Sequence, residues 1–266
     1  MDLANKYDQV RVLYQQNFES KFSSENLFEY NEVLFSAHSC AIEGNSFSVN
    51  DTCELKEHGL KLKLYNKTMI EAFEILDHFK AFEFLMKDLS KPLSENLLIE
   101  AHKILTKNTI GYTKGYQPGE YTDTQMAAGD TVFPDYQESI KSIPALMDQT
   151  EDAIIKGKVH PVELSAKFHQ FFIYLHPFPD GNGRIGRLFS NYILARLQHP
   201  LIIITNEKKE DYINSLKASY KHKNADIITS FFFKMSISRM NDELLSMQNK
   251  IPNTEIKKGK GMSFIF

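Results

Sequence analysis

Apolar residues recur at three- and four-residue steps along most of this chain, the period of helices that lay one face on a core. In KTMIEAFEILDHFKAFEFLMKDL, the residues Met69, Ala72, Phe73, Leu76, Phe79, Phe82 and Leu85 form one stripe. SENLLIEAHKIL repeats the pattern behind Ser94, a residue suited to cap a helix N-terminus. The same period predicts helices over Tyr136–Lys156, Pro161–Leu175, Arg184–Leu197, Glu207–His222 and Asp226–Met247. Pro161 suits a first turn, where its missing N–H has no intrahelical partner to lose. Nearer the N-terminus, NLFEYNEVLFSAHSCAIEG reads as a helix stopped by Gly44. One stretch breaks the period. GEYTDTQMAAGDTVFPDY, rich in Thr, Tyr and Val around a Gly129-Asp130 turn signal, predicts a short exposed β-hairpin over 121–133. The closing NKIPNTEIKKGKGMSFIF predicts an extended tail over 249–266. The expected fold is therefore mostly α, a helical bundle with one hairpin.

Composition narrows the setting. With 42% hydrophobic and 24% charged residues in 266, the chain is globular and large enough for one domain with an added arm. A net charge of −3 gives no reason to expect a nucleic-acid partner. Cys40 and Cys53 have neither metal-ligand spacing nor a disulfide framework. The opening MDLANKYDQVRV is too polar for a secretory leader, and no apolar run reaches membrane-spanning length. A cytoplasmic protein without a membrane partner is expected.

The candidate chemistry lies in HPFPDGNGRIGR, from His176 to Arg187. Gly181-Asn182-Gly183 directly precedes a helical pattern. Such a turn aims unpaired N–H groups at an anion, and the helix dipole adds to the attraction. Arg184 and Arg187, three apart, share one face and suit phosphate oxygens. Asp180 has the wrong sign for phosphate but the right one for a Mg²⁺ held against it. His176 ends the apolar segment KFHQFFIYL, and its near-neutral pKa suits a proton acceptor. Singly, a histidine at a helix end is commonly structural, DGNG commonly a turn, and paired arginines commonly a solvated face. Their coincidence within twelve residues outweighs these separate readings.

A rival reading exists. GNGRIG satisfies G-x-G-x-x-G, FFIYL could be a strand before it, and Glu207 follows about twenty residues on, after LIIIT. That is the spacing of a dinucleotide-binding unit. Yet HPFPD separates the supposed strand from the first glycine, and strand–helix alternation occurs nowhere else. HExxH and GxxxxGK(S/T) are both absent.

HPFPDGNGRIGR also matches, at every position, the signature HPFx(D/E)GNGRxxR, and so resembles the Fic family. The approach HPVELSAKFHQFFIYL and the hairpin before it are similar too, so a Fic-like core would cover 93–248 behind an N-terminal region of 1–92. The resemblance implies a helical fold with a hairpin flap, and transfer of AMP from ATP to a hydroxyl of a target protein. By that pattern His176 is the general base and Asp180 binds Mg²⁺. The Gly181, Asn182 and Gly183 positions hold phosphates, while Arg184 and Arg187 neutralise the outer ones. The flap would receive an extended target segment by main-chain pairing, and assembly into an oligomer is compatible with the sequence.

Upstream, SCAIEG resembles the family's inhibitory pattern (S/T)xxxE(G/N), with Ser39 and Glu43 at its fixed positions. The resemblance implies that Glu43 pairs with Arg187 in place of the γ-phosphate. The same carboxylate could instead orient a water that removes AMP from a modified target. A non-catalytic nucleotide-binding module is a third reading, against which an intact His176 argues. Where relatives often read G-(K/E)-Y-R, this chain has Gly119-Glu120-Tyr121-Thr122, so any role of that arginine in ordering the flap or reading the target is not carried over. Met126 is expected to wall the adenine. Tyr212 either contacts the base or packs.

Overall fold

In the computed structural model, which describes residues 2–63, 66–128 and 131–248, the chain forms helices joined by short turns. They are α1 (Leu3–Asn17), α2 (Ser24–Ile42), α3 (Val49–His58), α4 (Met69–Met86), α5 (Glu95–Leu105) and the single turn α6 (Ile110–Thr113). The hairpin β1 (Ala127–Ala128) and β2 (Thr131–Val132) follows, then α7 (Tyr136–Lys156), α8 (Pro161–Leu175), α9 (Asn182–Arg196), α10 (Lys209–Lys221) and α11 (Asp226–Gln248).

Side-chain caps set where these helices begin. Ser23 accepts from Asn26 N–H and Ser94 from Leu97 N–H. Ser48 with Asp51, and Thr68 with Glu71, close reciprocal capping boxes on α3 and α4. Asp135 caps α7 through the amides of Gln137 and Glu138, and His160 caps α8 just before Pro161. α9 is the central rod, buried almost all round, with Asn182, Arg184, Arg187, Ser190 and Asn191 among its buried residues. α2, α4, α5 and α8 pack on it, with α8 closest. Gly186 permits that approach, since a Cβ there would come within 3.0 Å of Ile173 Cδ1 and 3.2 Å of the His169 ring. α1 packs on α11, which packs on α8 and α10. Tyr7, Tyr14 and Phe35 from the N-terminal region share one core with Phe168, Phe189 and Phe232, so that region is built into the bundle.

The structure departs from the expectations in several places. α1 and α3 have too few buried positions to show a stripe: only Tyr7 and Tyr14 in α1, Thr52 and Leu55 in α3. Met69, in the first turn of α4, is 49% exposed, and the buried face includes Asp77 and His78 instead. α9 starts at Asn182, two residues early, because Gly181 takes the left-handed conformation at its N-cap (φ 78°). A 3-10 turn over Asn206–Lys208 precedes α10, which therefore starts later than Glu207. The hairpin is shorter than 121–133, with only Ala127 paired to Val132 and Ala128 to Thr131. Its Gly129-Asp130 turn and the 249–266 tail lie outside the described residues.

The dinucleotide reading is overturned. FFIYL belongs to α8, so a helix rather than a strand leads to the glycines. LIIIT has no regular secondary structure and joins no sheet, Ile202 pairing instead with the Asn191 side chain (2.7 and 2.9 Å). Among the described residues the only sheet is the hairpin, and no helix is long and apolar enough to cross a membrane.

Candidate active site

α8 ends at His176 in the left-handed conformation (φ 46°, ψ 54°), with its N–H donated to Phe172 O. A side chain rarely adopts that geometry, and here it turns the imidazole out of the helix. Nδ1 lies 3.3 Å from Ile173 O. A carbonyl only accepts, so the proton belongs on Nδ1 and Nε2 keeps its lone pair. The ring stacks on Phe133 at the root of the hairpin, centroids 3.9 Å apart and planes 9° apart. Burial pushes the His176 pKa down to about 4, against weaker upward pulls from the Ile173 carbonyl, Glu43 and Asp180. The imidazole is thus a neutral acceptor across physiological pH.

The turn after His176 is held by Asn182, whose Oδ1 accepts from Phe178 N–H (3.0 Å) and whose Nδ2 donates to Phe178 O (2.6 Å). The Asn182 side chain thus braces the loop. α9 then opens without a side-chain cap, so its first-turn amides have no intrahelical partners.

Both arginines are buried. Arg184 donates to Asp180 Oδ2 at 3.2 Å, and its NH1 stands 3.5 Å from Glu74 Oε1. Its Nε and NH1 are buried and make no hydrogen bond. Arg187 is gripped from α2. Its Nε donates to Ser39 Oγ (3.1 Å), and its NH2 donates to Ser39 O (2.8 Å) and Glu43 Oε1 (2.7 Å). Partial burial pushes the Glu43 carboxyl up, but Arg187, Arg184 and Lys209 together hold it below its ordinary value. Glu43 rests on Gly183, where any Cβ would overlap Oε1 and lie 3.1 Å from Cδ.

A cavity of about 380 Å³ collects Glu43, His176, Gly183, Arg187 and Tyr212. Asp180, Asn182, Arg184 and Ser39 are next to it but outside its lining. Tyr212 is buried, shares a 2.6 Å hydrogen bond with His169 Nε2, and lies beneath the Arg187 guanidinium. Met126 is not among the lining residues; its Sδ accepts from Thr122 Oγ1 at 3.4 Å. The apolar wall comes instead from Phe133, Ile173, Ile213 and Leu216. The α10 part was readable in EDYINSLKASY, where 212, 216 and 220 fall at four-residue steps on one face.

Thr122 and Tyr121, in the segment before the hairpin, are held by local contacts. Thr122, 2% exposed, donates its N–H to Pro177 O (2.9 Å). Its hydroxyl proton is shared between Thr124 O (3.1 Å) and Met126 Sδ (3.4 Å), and its oxygen accepts from Thr124 N–H (3.3 Å). Tyr121 stacks on Phe178 and donates to Glu95 Oε1. The approach to the hairpin is thereby tied to the signature loop.

Comparison with known proteins converges on these elements. Residues 92–194 match the family model described as Fic/DOC family. The protein adenylyltransferase Fic of Nematostella vectensis is 32% identical over 181 residues, covering 67% of this chain and 41% of that protein. Its Drosophila willistoni namesake is 30% identical over 185 residues, covering 68% and 35%. This chain thus spans about two fifths or less of these relatives' length. A Fic-domain-containing signaling protein of Bacteroides thetaiotaomicron shares the fold, with TM-score 0.79 at 23% identity over 93% of this chain and 100% of that one.

Proposed function

The chain carries a Fic/DOC-family domain over residues 92–194, and on that premise we propose that it is a protein adenylyltransferase restrained by its own Glu43. Relatives named protein adenylyltransferase Fic support the reaction class. The observation that carries the reading is one turn of chain. Within it a neutral His176 with a free Nε2 precedes an uncapped helix N-terminus and two buried arginines.

The triphosphate of ATP would lie on the first-turn amides of α9, with Arg184 and Arg187 matching its outer oxygens. A target hydroxyl attacks the α-phosphorus, the bond to the bridging oxygen breaks, and pyrophosphate leaves. His176 Nε2 takes the hydroxyl proton as the new bond forms. The chain's contribution is position and charge neutralisation.

Asp180 fits the expected Mg²⁺. Its carboxylate is partly exposed (32%), and only Oδ2 is engaged, by Arg184. Among the described residues no three His, Cys, Asp or Glu side chains converge. The cation would therefore share Asp180 with phosphate and water oxygens, coordination that suits Mg²⁺. Once bound, it would neutralise charge developing on the phosphates.

Glu43 occupies the guanidinium face and the Gly183 surface that an outer phosphate needs. At rest it competes with ATP, or forces the phosphates out of line for attack. The hairpin, with Val132 72% exposed, would receive an extended target segment by strand addition.

The test uses α-labelled ATP and Mg²⁺ with wild type, Glu43→Gly and Glu43→Gly/His176→Ala, reading label and intact mass. Labelling confined to the single variant, with the mass of AMP added, is expected. Label in the double variant would remove His176 from its role as base. If Glu43→Gly changes neither labelling nor ATP binding, the restraint is wrong.

A further inference from the structure

The signature loop is also held by a side chain outside the motif. His102 of α5 is fully buried, its ring flat on Phe178 with centroids 3.7 Å apart and planes 5° apart. Gly119 N–H donates to its Nδ1 at 3.3 Å. A nitrogen that accepts carries no proton, so the hydrogen is on Nε2. Nε2 stands 3.0 Å from Asp180 O, which can only accept.

That carbonyl needs such a donor. The first bond of α9 runs from Ile185 N–H to Gly181 O, so the helix begins one residue too late to use Asp180 O. The peptide is also fitted tightly against α5. At Gly181 (φ 78°) a Cβ would approach Thr106 Cγ2 to 3.3 Å and His102 Nε2 to 3.5 Å. Thr106 in turn donates its hydroxyl to His102 O at 2.8 Å. A phenylalanine could fill this space and stack on Phe178, but it could serve neither Asp180 O nor Gly119 N–H.

We propose that His102 is a positioning residue for the nucleotide site. By donating Nε2–H to Asp180 O it fixes the Asp180–Gly181 peptide, and with it the direction of the Asp180 carboxylate. Through Nδ1 it ties that peptide to Gly119, ahead of the hairpin. The proposal rests on reading Asp180 as the carboxylate that meets Mg²⁺ on ATP. Groups that orient a metal's ligand are typically worth about 10- to 100-fold in metal affinity.

Two substitutions separate the two ends of the ring. In His102→Gln the terminal amide reaches as far as Nε2 and can still donate to Asp180 O. In His102→Asn the shorter side chain can accept from Gly119 N–H but falls short of Asp180. ATP binding to the full chain is measured by calorimetry with Mg²⁺ and with EDTA, the ratio giving the Mg²⁺-dependent gain. His102→Gln should stay within about threefold of wild type, while His102→Asn loses about tenfold or more of that gain. Equal behaviour of the two variants would overturn the proposal, leaving His102 as packing. The same ratio is measured with Glu43→Gly to lift the restraint, and if ATP affinity ignores Mg²⁺ in both wild type and Glu43→Gly, the Asp180 reading itself falls, and the role of His102 with it. The wild-type protein offers a check that needs no variant to fold. Nitrogen-15 correlation spectra of its imidazoles should place the His102 proton on Nε2, and a proton on Nδ1 would refute the hydrogen-bond scheme.

Discussion

Arg187 NH2 lies 2.7 Å from Glu43 Oε1, joining the end of α2 to the first turns of α9 across 144 residues of chain. Ser39 O and Oγ complete the grip on the same guanidinium. Glu43→Gln keeps the shape and removes the charge, so Arg187 should become available to an outer phosphate. ATP affinity is expected to rise about tenfold, a change of about 1.4 kcal/mol. Stability should fall by less than about 2 kcal/mol, since Glu43 is 40% exposed and Ser39 remains to hold Arg187. Calorimetry with ATP and a denaturant titration measure both. Unchanged ATP affinity would mean that the pair does not compete with nucleotide.

Gly183 is where backbone and carboxylate meet. Alanine favours a helix over glycine by about 1 kcal/mol, but here its Cβ would overlap Glu43 Oε1 and come within 3.1 Å of Arg187 NH1. Overpacking of this kind costs about 1–3 kcal/mol, so Gly183→Ala should be destabilising. The steric conflict is with a side chain, so it can be removed. Adding Glu43→Gly should recover stability relative to Gly183→Ala alone, a coupling readable in a double-mutant cycle. Strictly additive losses would place Glu43 elsewhere in solution.

How much of this was legible in the sequence depends on whether the cause was local. The bounds of α7 and α8 follow from neighbouring residues: Asp135 before one, His160 and Pro161 at the start of the other. Tyr7 and Tyr14 alone, seven apart, could not announce α1. At the site, twelve contiguous residues displayed the histidine, the glycines and the arginines. The partner of Arg187 was visible only through a family pattern, because no periodicity links positions 144 residues apart. Glu74, His102 and Phe133 matter here only through tertiary contact, and nothing near them in sequence marks them.

Acid should destabilise the fold through its buried histidines. Burial lowers the His102, His176 and His199 pKa values to about 4 and that of His169 to about 3, and takes His78 well below its ordinary 6.5. In the unfolded chain these imidazoles protonate near pH 6.5, so below that pH the unfolded state binds more protons and stability falls with pH. The contribution is complete above about pH 6.5 and drains away towards pH 4, at about 1.4 kcal/mol for each unit separating the two states of a group. Thermal melts from pH 8 to 4 at constant ionic strength should show Tm declining from about 6.5 downwards. A flat Tm between 6.5 and 4.5 would show these histidines to be solvated.

Tyr212 separates packing from binding. Its ring walls the cavity, while its hydroxyl shares a 2.6 Å hydrogen bond with His169 Nε2 in a buried setting. Tyr212→Phe keeps the wall and leaves His169 Nε2 without a partner, which should cost about 1–3 kcal/mol of stability. ATP affinity should change little, because the apolar surface is retained. A large loss of affinity with unchanged melting would assign the hydroxyl to the nucleotide instead.

Thr122 lies just before the hairpin, and its hydroxyl braces the turn that leads into it. Thr122→Val preserves the volume and the backbone bond from residue 122 to Pro177 O, and removes only the hydroxyl. The segment from Asp123 to Phe133 should then loosen, including the bond from Phe133 N–H to Met126 O at 3.1 Å. Because Phe133 stacks on His176, a looser hairpin also frees the base. Hydrogen exchange should accelerate across 123–128 and 131–133 while global stability falls by about 1 kcal/mol, the worth of one net hydrogen bond. On the proposed roles, with the target on the hairpin and the phosphates on α9, modification of a target should decline more than binding of ATP. Unaltered exchange in that segment would show that the hairpin draws its order from Phe133 and the Pro177 contact alone.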